Sequence, residues 1–232
     1  MTREYPKVWS SFQRVAKNGK TLSFEIKDVP EDLWIEAVEF MLGNYIREDV
    51  WWITAGTAGD PQAIEEYRVL LTSIIKLKMS LGCFLVEESG GRVLVGMNMC
   101  MPQEKERFVE HNPPKTKAGL LSLRMFSEAV KVPAIYDKYN VDVYLMGAGL
   151  SVTPEYRGLG LAVELLKSRM LLTKEGGLSV TGGIFTSAPA QRSAEKAGMD
   201  CVYQIPYKQF GEQCNIDFNT TTEDLKIFAI KV

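Results

Sequence analysis

The residues from Leu150 to Ala162 constrain this chain more than any other part of its sequence. An apolar, strand-like segment leads into them, and the pattern that follows, with Leu165, Leu166 and Met170, is that of an amphipathic helix. The turn between the two reads Arg157-Gly158-Leu159-Gly160-Leu161-Ala162. Glycine lets an anion approach the backbone closely, and the N-terminus of a helix attracts negative charge. We therefore expect the backbone N–H groups of this turn to bind a diphosphate.

The spacing in this turn excludes two familiar phosphate-binding motifs. A dinucleotide-binding fingerprint requires a small residue three positions after its second glycine, where this chain has Val163. The lysine-containing P-loop is excluded because no Gly-Lys-Ser/Thr follows a glycine at the required distance. What remains is the pattern Arg/Gln-x-x-Gly-x-Gly/Ala, formed by Arg157, Gly160 and Ala162. It resembles the acyl-CoA-binding turn of the Gcn5-related N-acetyltransferase superfamily, and the alternative is an ordinary glycine-rich turn.

A second segment strengthens the resemblance. It reads Gly183-Ile184-Phe185-Thr186-Ser187, followed from Ala190 by Gln191-Arg192-Ser193-Ala194-Glu195-Lys196-Ala197-Gly198-Met199. The ending Glu-Lys-x-Gly plus an apolar residue is similar to the second conserved motif of the superfamily. Leu-Ser-Val before the turn, Tyr156 directly before Arg157 and an acidic element near residue 48 are most similar to the insect arylalkylamine N-acetyltransferases. The resemblance extends from about Thr21 to Val232.

The resemblance implies an α/β fold in one N-acetyltransferase domain. We expect residues 1–20 to be an N-terminal extension and residues 21–232 to form the domain. Its sheet would be mixed and mostly antiparallel, with about seven strands, flanked by helices and splayed at the acetyl-CoA site. Strands and helices alternate along the chain without a linker-like segment, which also favours a single domain.

Hydrophobic periodicity predicts most of the individual elements. Strands are predicted at Thr21–Lys27, Cys83–Glu87, Val93–Met99, from Val143, near Gly183, at Tyr203–Phe210 and at Leu225–Val232. Helices are predicted from Pro30 to Tyr45, from Pro61, from Ala118 to Tyr139 with an interruption at Pro133, and from the turn to Gly176. The polar segment Pro102–Lys117 is predicted to be a long loop.

The resemblance also implies which residues bind acetyl-CoA as a co-substrate. They are Leu150, Ser151 and Val152 on the strand, and Arg157, Gly158, Leu159, Gly160, Leu161 and Ala162 in the turn. Backbone N–H groups of the strand residues would polarise the thioester carbonyl, as an oxyanion hole does. Gly149, within the strand pattern, would allow a bulge there.

Acetyl transfer to an amine requires a neutral amine, and this points to a base. An alkylammonium resembling lysine has a pKa near 10.4, so about one molecule in a thousand is neutral near pH 7.4. Glu48 is the candidate base, because burial among apolar and aromatic neighbours would raise its pKa. In the insect family an Asp-Glu-Pro-Leu element carries the catalytic glutamate, and Arg47-Glu48-Asp49-Val50 retains only the Glu. Asp49 is the weaker candidate, and a solvated Glu48 paired with Arg47 is the alternative.

Two further polar residues take positions that the resemblance marks as catalytic. Thr186 and Ser187 stand where the family has serines that support catalysis. Another family serine falls at Ala190, so this relay is incomplete here. The tyrosine acid of many superfamily members falls at Ala194, which leaves the general acid unassigned.

Several aromatic residues have two interpretations. Tyr203 and Tyr207 could replace the absent tyrosine acid, or they could be structural tyrosines of a strand. An aromatic amine pocket could be lined by Tyr45, Trp51, Trp52 and Phe210, although such residues more often belong to the core.

Composition and charge exclude other classes of function. A net charge of −2 gives no basis for binding nucleic acid or an anionic membrane surface, and no apolar stretch approaches the length of a membrane span. One histidine, His111, and four cysteines without C-x-x-C spacing indicate no metal site. Reduced thiols and the lack of an apolar leader favour a cytoplasmic protein. We expect a monomer or weak dimer.

These patterns together predict an acetyl-CoA-dependent N-acetyltransferase. By the resemblance, it would acylate the primary amine of a small arylalkylamine, such as dopamine, tyramine or serotonin, by direct attack in a ternary complex. Two alternatives stay open. The altered Asp-Glu-Pro-Leu element allows an enzyme for aliphatic amines or polyamines, and the missing tyrosine and serine allow a non-catalytic acyl-CoA-binding sensor.

Overall fold

A mixed sheet of eight strands organises the computed structural model, which describes residues 3–105 and 113–232. The strands lie in the order β1-β2-β3-β4-β5-β6-β8-β7, and every neighbouring pair is antiparallel except β5 and β6. Their bounds are β1 Val8–Val15, β2 Thr21–Asp28, β3 Leu81–Val86, β4 Arg92–Glu104, β5 Val143–Val152, β6 Val180–Phe185, β7 Asp200–Pro206 and β8 Asp224–Lys231.

Nine α-helices, counted over the same residues, accompany the sheet. Their bounds are α1 Trp34–Phe40, α2 Ile46–Glu48, α3 Val50–Ala55, α4 Pro61–Ile75, α5 Lys117–Val130, α6 Ala134–Tyr139, α7 Leu161–Glu175, α8 Ala188–Lys196 and α9 Tyr207–Cys214. A π-helical turn, Met41–Tyr45, joins α1 to α2, and such turns are frequent at functional sites. None of the helices in the described part of the chain is both long and apolar enough to cross a membrane.

Apolar side chains are buried on both faces of the sheet. On one face, α1, the π-helical turn and α4 pack over β3 and β4, where Phe84 and Met97 are buried. On the other face, α7 contributes Leu165 and Leu172, neither of which has any exposed surface. Full burial of a leucine side chain contributes about 1.5–3 kcal/mol. The centre of the sheet, β4 and β5, is therefore held from both sides.

The predicted α/β class, with one mixed sheet flanked by helices, is confirmed. The helix interruption at Pro133 is also present, since α5 ends at Val130 and α6 begins at Ala134. The sheet has eight strands instead of about seven because β1 adds an edge strand. The domain boundary expected at residue 20 falls in the turn between β1 and β2, which pair from Val15 and Thr21 onwards.

Two predicted elements are wrong in part. The strand expected over Tyr203–Phe210 ends at Pro206, and the residues after it form α9. In α9, Tyr207, Phe210 and Cys214 are buried at helical spacing, and this packing favours a helix over a strand. The loop expected from Pro102 begins later, because β4 continues to Glu104 beside β5.

Candidate active site

The parallel strands β5 and β6 separate after two residue pairs. Their register consists of Leu145 with Thr181 and Met146 with Gly182. Beyond these pairs β5 stays beside β4 up to Val152, whereas β6 stays beside β8 up to Phe185. One edge of β5 therefore faces an opening instead of a strand, and the expected splay of the sheet is confirmed.

A bulge lies on β5 where this opening begins. The register with β4 shifts between Gly147 and Gly149, so Ala148 is an extra residue on β5. Gly149 is buried beneath Met41 and Tyr45, and a Cβ added there would lie 2.6 Å from Met41 Cε. The bulge predicted at Gly149 is thus present, and close contacts from the π-helical turn leave no space for a side chain.

The turn between β5 and α7 has a backbone that fits an anion. Gly158 and Gly160 have φ angles of +83° and +77°, in the left-handed region that favours glycine. A Cβ at either position would meet no atom closer than 4.0 Å, so the space beside the turn is open. Because α7 begins at Leu161 without a side-chain cap, the N–H groups of its first turn can bind a ligand. These features fit the diphosphate of a CoA compound.

Arg14 of β1 reaches the same turn, and sequence reasoning missed it. Its Nε donates to the carbonyl oxygen of Leu159 at 3.0 Å, and its Nη2 forms a 3.0 Å ion pair with Glu164. A guanidinium beside the turn adds a second source of attraction for phosphate oxygens. The contact joins residues 145 positions apart, in a segment predicted to precede the domain, and no local pattern reveals it.

Glu48 lies at the C-terminal end of α2, next to this turn. Its carboxylate forms an ion pair with Arg157, and 45% of its side chain is exposed. The desolvation expected for Glu48 is therefore wrong, and its cationic partner is Arg157 instead of Arg47. The role of Glu48 as the base stays a prediction.

Asp49, the next residue, has the environment that was expected of Glu48. Its carboxylate accepts a hydrogen bond from the Trp51 backbone N–H at 3.0 Å and another from the Thr186 hydroxyl. Burial raises the pKa of Asp49 to about 6, against the opposing effect of these hydrogen bonds. A carboxylate with this pKa is a more effective base near neutral pH than an ordinary aspartate.

Thr186 is fixed from two sides at the end of β6. Its hydroxyl donates to Asp49, and its carbonyl oxygen accepts a 2.7 Å hydrogen bond from Tyr207 Oη. Ser187 is the N-cap residue of α8, where its hydroxyl makes no capping hydrogen bond. The structure thus brings Thr186, but not Ser187, into contact with an acidic residue.

The positions considered for a general acid have other surroundings. The Tyr207 hydroxyl is committed to the Thr186 carbonyl, and burial raises its pKa. Tyr203 lies on β7, which pairs only with β8 and forms the far edge of the sheet. Ala194 is fully buried in the core beside α7. Tyr45, which sequence analysis considered only for a pocket, is the tyrosine that contacts the β5 bulge at Gly149.

A cavity of about 690 Å³ leads to the opening between β5 and β6. Gly147 and Ala148 of the bulge and Ile184 of β6 form its inner end, while α3, α4 and α5 form its walls. Its aromatic lining residues are Tyr45, Trp51, Trp52, Tyr67 and Phe126. Three of the four aromatic residues considered for a pocket therefore line one, and the fourth, Phe210, is buried against Trp51 with ring centroids 6.0 Å apart.

Metal-ligating side chains do not cluster in the described ranges 3–105 and 113–232. No group of three His, Cys, Asp or Glu residues there could hold a metal ion, and His111 lies outside these residues. All four cysteines are free. Burial raises the pKa of Cys83 to about 12 and that of Cys100 to about 11, so both stay protonated near neutral pH.

Comparison with solved structures identifies the fold. A candidate arylalkylamine N-acetyltransferase 7 from the yellow fever mosquito is 26% identical, with a TM-score of 0.87 over 100% of this chain and 97% of that one. The chain belongs to the Gcn5-related N-acetyltransferase superfamily. No protein-family model and no curated protein matches the sequence.

Two more distant members of the superfamily share the fold. The polyamine N-acetyltransferase of Drosophila melanogaster is 19% identical, with a TM-score of 0.71 over 90% of this chain and 100% of that one. The acetyltransferase yncA from Salmonella typhimurium, solved with acetyl-CoA, is 13% identical, with a TM-score of 0.52 over 90% of this chain and 93% of that one. Acetyl-CoA is the co-substrate of this acetyltransferase fold.

If the turn binds the diphosphate, Gly160→Val is expected to weaken acetyl-CoA binding more than about tenfold, or ~1.4 kcal/mol. The valine side chain would occupy the open space beside the backbone N–H groups. Valine at a φ of +77° also strains the backbone by about 1–3 kcal/mol. Gly177→Val, at a φ of +74° with no atom within 4 Å of its Cβ, is the matched control for that strain. Calorimetry that gives both variants the same acetyl-CoA affinity would show that the turn does not bind it.

Proposed function

We propose that this N-acetyltransferase acylates the primary amine of a small arylalkylamine of the dopamine, tyramine and serotonin class. The observation that carries the proposal is the aromatic cavity that ends at the β5 bulge. An aromatic ring bound there would stack against indole and phenol rings while its aminoethyl chain extends toward the opening between β5 and β6. The likeness to a candidate arylalkylamine N-acetyltransferase supports this substrate class.

Acetyl-CoA would bind along the edge of β5 and the turn that follows. Its diphosphate would lie against the N–H groups of residues 158–162, with Arg14 and Arg157 nearby. Its acetyl group would lie beside Leu150–Val152, where N–H groups on the unpaired edge of β5 can polarise the thioester carbonyl. Both substrates would then meet at the bulge, as direct transfer in a ternary complex requires.

The transfer itself needs one proton acceptor. The amine nitrogen forms a bond to the acetyl carbon, the carbon–sulfur bond breaks, and the bonding electron pair leaves with the CoA sulfur. One proton leaves the nitrogen, and a carboxylate of the site accepts it directly or through water. Glu48 was predicted for this role, and the surroundings of Asp49 make it the second candidate.

Polyamines are the second candidate class of substrate, because Glu65 and Glu66 also line the cavity and could bind a second cation. Both carboxylates already have partners. Glu65 pairs with Arg68 at 3.0 Å, while Glu66 accepts hydrogen bonds from the Thr116 hydroxyl at 2.6 Å and the Lys115 N–H at 2.7 Å. These contacts favour a singly charged amine with an aromatic tail.

Release of the CoA thiol in the presence of a panel of amines tests the proposed function. We expect tyramine, dopamine and serotonin to give kcat/KM values at least about tenfold above those of agmatine, spermidine and a short alkylamine, a difference of ~1.4 kcal/mol in transition-state binding. The reverse order would favour a polyamine enzyme. Binding of acetyl-CoA without turnover of any amine would support the sensor interpretation.

Substitution of the two acids distinguishes their roles. If Glu48 is the base, Glu48→Gln is expected to lower kcat by about 10²–10⁴-fold. If it only holds Arg157, the same change raises the KM for acetyl-CoA and spares kcat. The same measurements of kcat and KM on Asp49→Asn test whether Asp49 is the base. The control is Glu155→Gln, which changes an exposed acid of the same turn.

The pH profile gives an independent result. A base acts in its deprotonated form, so kcat/KM rises with pH through its pKa, and Asp49 predicts a limb near pH 6 that Asp49→Asn removes. We expect little decline up to about pH 9.5, because a thiol with a pKa near 8.5 leaves without an acid. Persistence of the pH 6 limb in Asp49→Asn would exclude Asp49 as its source. A fall above pH 8 that Tyr203→Phe or Tyr207→Phe abolishes would reveal a tyrosine acid.

A further inference from the structure

Arg169 of α7 is a buried cation without an anionic partner. Only 1% of the residue is exposed, and no carboxylate of the described residues forms an ion pair with it. Its Nη1 lies 3.3 Å from Asn98 Oδ1, its Nη2 lies 3.8 Å from Met199 Sδ, and its Nε makes no hydrogen bond. The neighbouring Cys100 thiol is neutral near pH 7 and does not compensate the charge.

Stability does not explain a guanidinium in this position. Removal of a charge from water costs several kcal/mol unless a partner compensates it, and replacement of buried charges by apolar side chains of similar volume is often neutral or stabilising. The other buried residues of the same helix carry no charge: they are Leu161, Leu165, Leu166, Ser168, Leu172 and Thr173. Replacement of Arg169 by an apolar side chain of similar volume is therefore expected to be neutral or stabilising, and stability gives no reason for the charge.

The position of Arg169 points to the β5 bulge. A Cβ added to Gly147 would lie 2.1 Å from Arg169 Nη1, so the guanidinium occupies the place of the side chain that Gly147 lacks. Asn98 of β4 accepts from Arg169 and donates through Nδ2 to the carbonyl oxygen of Gly149 at 2.8 Å. The chain of contacts thus begins at α7 and ends on both glycines that flank the extra residue, Ala148.

This connection replaces bonds that the bulge disrupts. A bulge interrupts the ladder of hydrogen bonds, and on its other side β5 has no strand partner after Met146. The Asn98 amide, which is itself fully buried, supplies a donor to the backbone at this point, and Arg169 fixes the orientation of that amide. Without the pair, the segment from Gly147 to Val152 would keep its backbone pairing with β4 and the contacts of the π-helical turn, but the carbonyl oxygen of Gly149 would lose its side-chain donor.

We propose that Arg169 and Asn98 act together as positioning residues, which hold the β5 bulge in the geometry that acetyl transfer requires. The role rests on the proposed function, since the N–H groups that follow the bulge are those assigned to the thioester. Neither residue touches a substrate in this scheme. A displacement of about 1 Å at a reacting centre can cost about 10²-fold in rate.

The test compares Arg169→Met with Lys174→Met, which removes a charge from an exposed position on the same helix. We expect Arg169→Met to melt no lower than the wild type, to bind acetyl-CoA within about threefold of it, and to lose about 10–100-fold in kcat. Hydrogen exchange of residues 147–152 should accelerate, while that of β1 and β2 stays unchanged. Lys174→Met should match the wild type in all four measurements.

A double-mutant cycle with Asn98→Ala tests whether the two residues act as a unit. We expect the double variant to lose no more kcat than the more damaged single variant. If the losses in kcat of the two single variants multiply in the double variant, the proposal is overturned. For Arg169→Met alone, an unchanged kcat, a lower melting temperature or unchanged hydrogen exchange at residues 147–152 would also overturn it. The melting and exchange measurements need no substrate. If the wild type turns over no amine, the proposed function is refuted, but melting and hydrogen exchange still test whether Arg169 and Asn98 position the bulge.

Discussion

The site depends on the separation of β5 from β6 after two residue pairs. A strand in the middle of a sheet normally forms backbone hydrogen bonds along both edges. Beyond Met146, β5 has a free edge because β6 diverges from it and stays beside β8. The opening is available to a ligand only if β5 keeps its shape without a partner there. The packing of α7 on one face and of the π-helical turn on the other supplies that support, with direct contacts at Gly147 and Gly149.

The same arrangement brings two binding regions together. The turn after β5 presents backbone N–H groups and the cations Arg14 and Arg157, whereas the cavity beside the bulge is aromatic. An anionic, flexible ligand and a small amine can therefore approach the bulge from different directions. Asp49 lies in a dry environment that raises its pKa, and its carboxylate accepts a hydrogen bond from Thr186, which lines the cavity. Under the proposed function, Asp49 would be a proton acceptor one hydrogen bond away from a residue of the cavity wall.

Local pattern predicted the parts of the site that lie within one strand–turn–helix unit. The turn from Arg157 to Ala162, the glycine bulge and the helix that follows all depend on neighbours in sequence. The acidic element was less predictable, because the helix before it contains a π-helical turn at Met41–Tyr45 and is interrupted at Asp49, the N-cap residue of α3. On the two sides of this interruption, Asp49 is desolvated whereas Glu48 is half exposed. Arg14 and the Arg169–Asn98 pair depend on contacts across 71 to 145 positions, which no local signal encodes.

The most direct test of the proposed site is a crystal structure with CoA and tyramine bound. We expect the CoA diphosphate to lie against the N–H groups of residues 158–162 and its sulfur to lie in the opening between β5 and β6. The tyramine ring should occupy the aromatic cavity, with its nitrogen about 2.6–3.2 Å from Asp49 or Glu48, or one water away. A CoA molecule bound away from β5, or a tyramine ring outside the cavity, would contradict it.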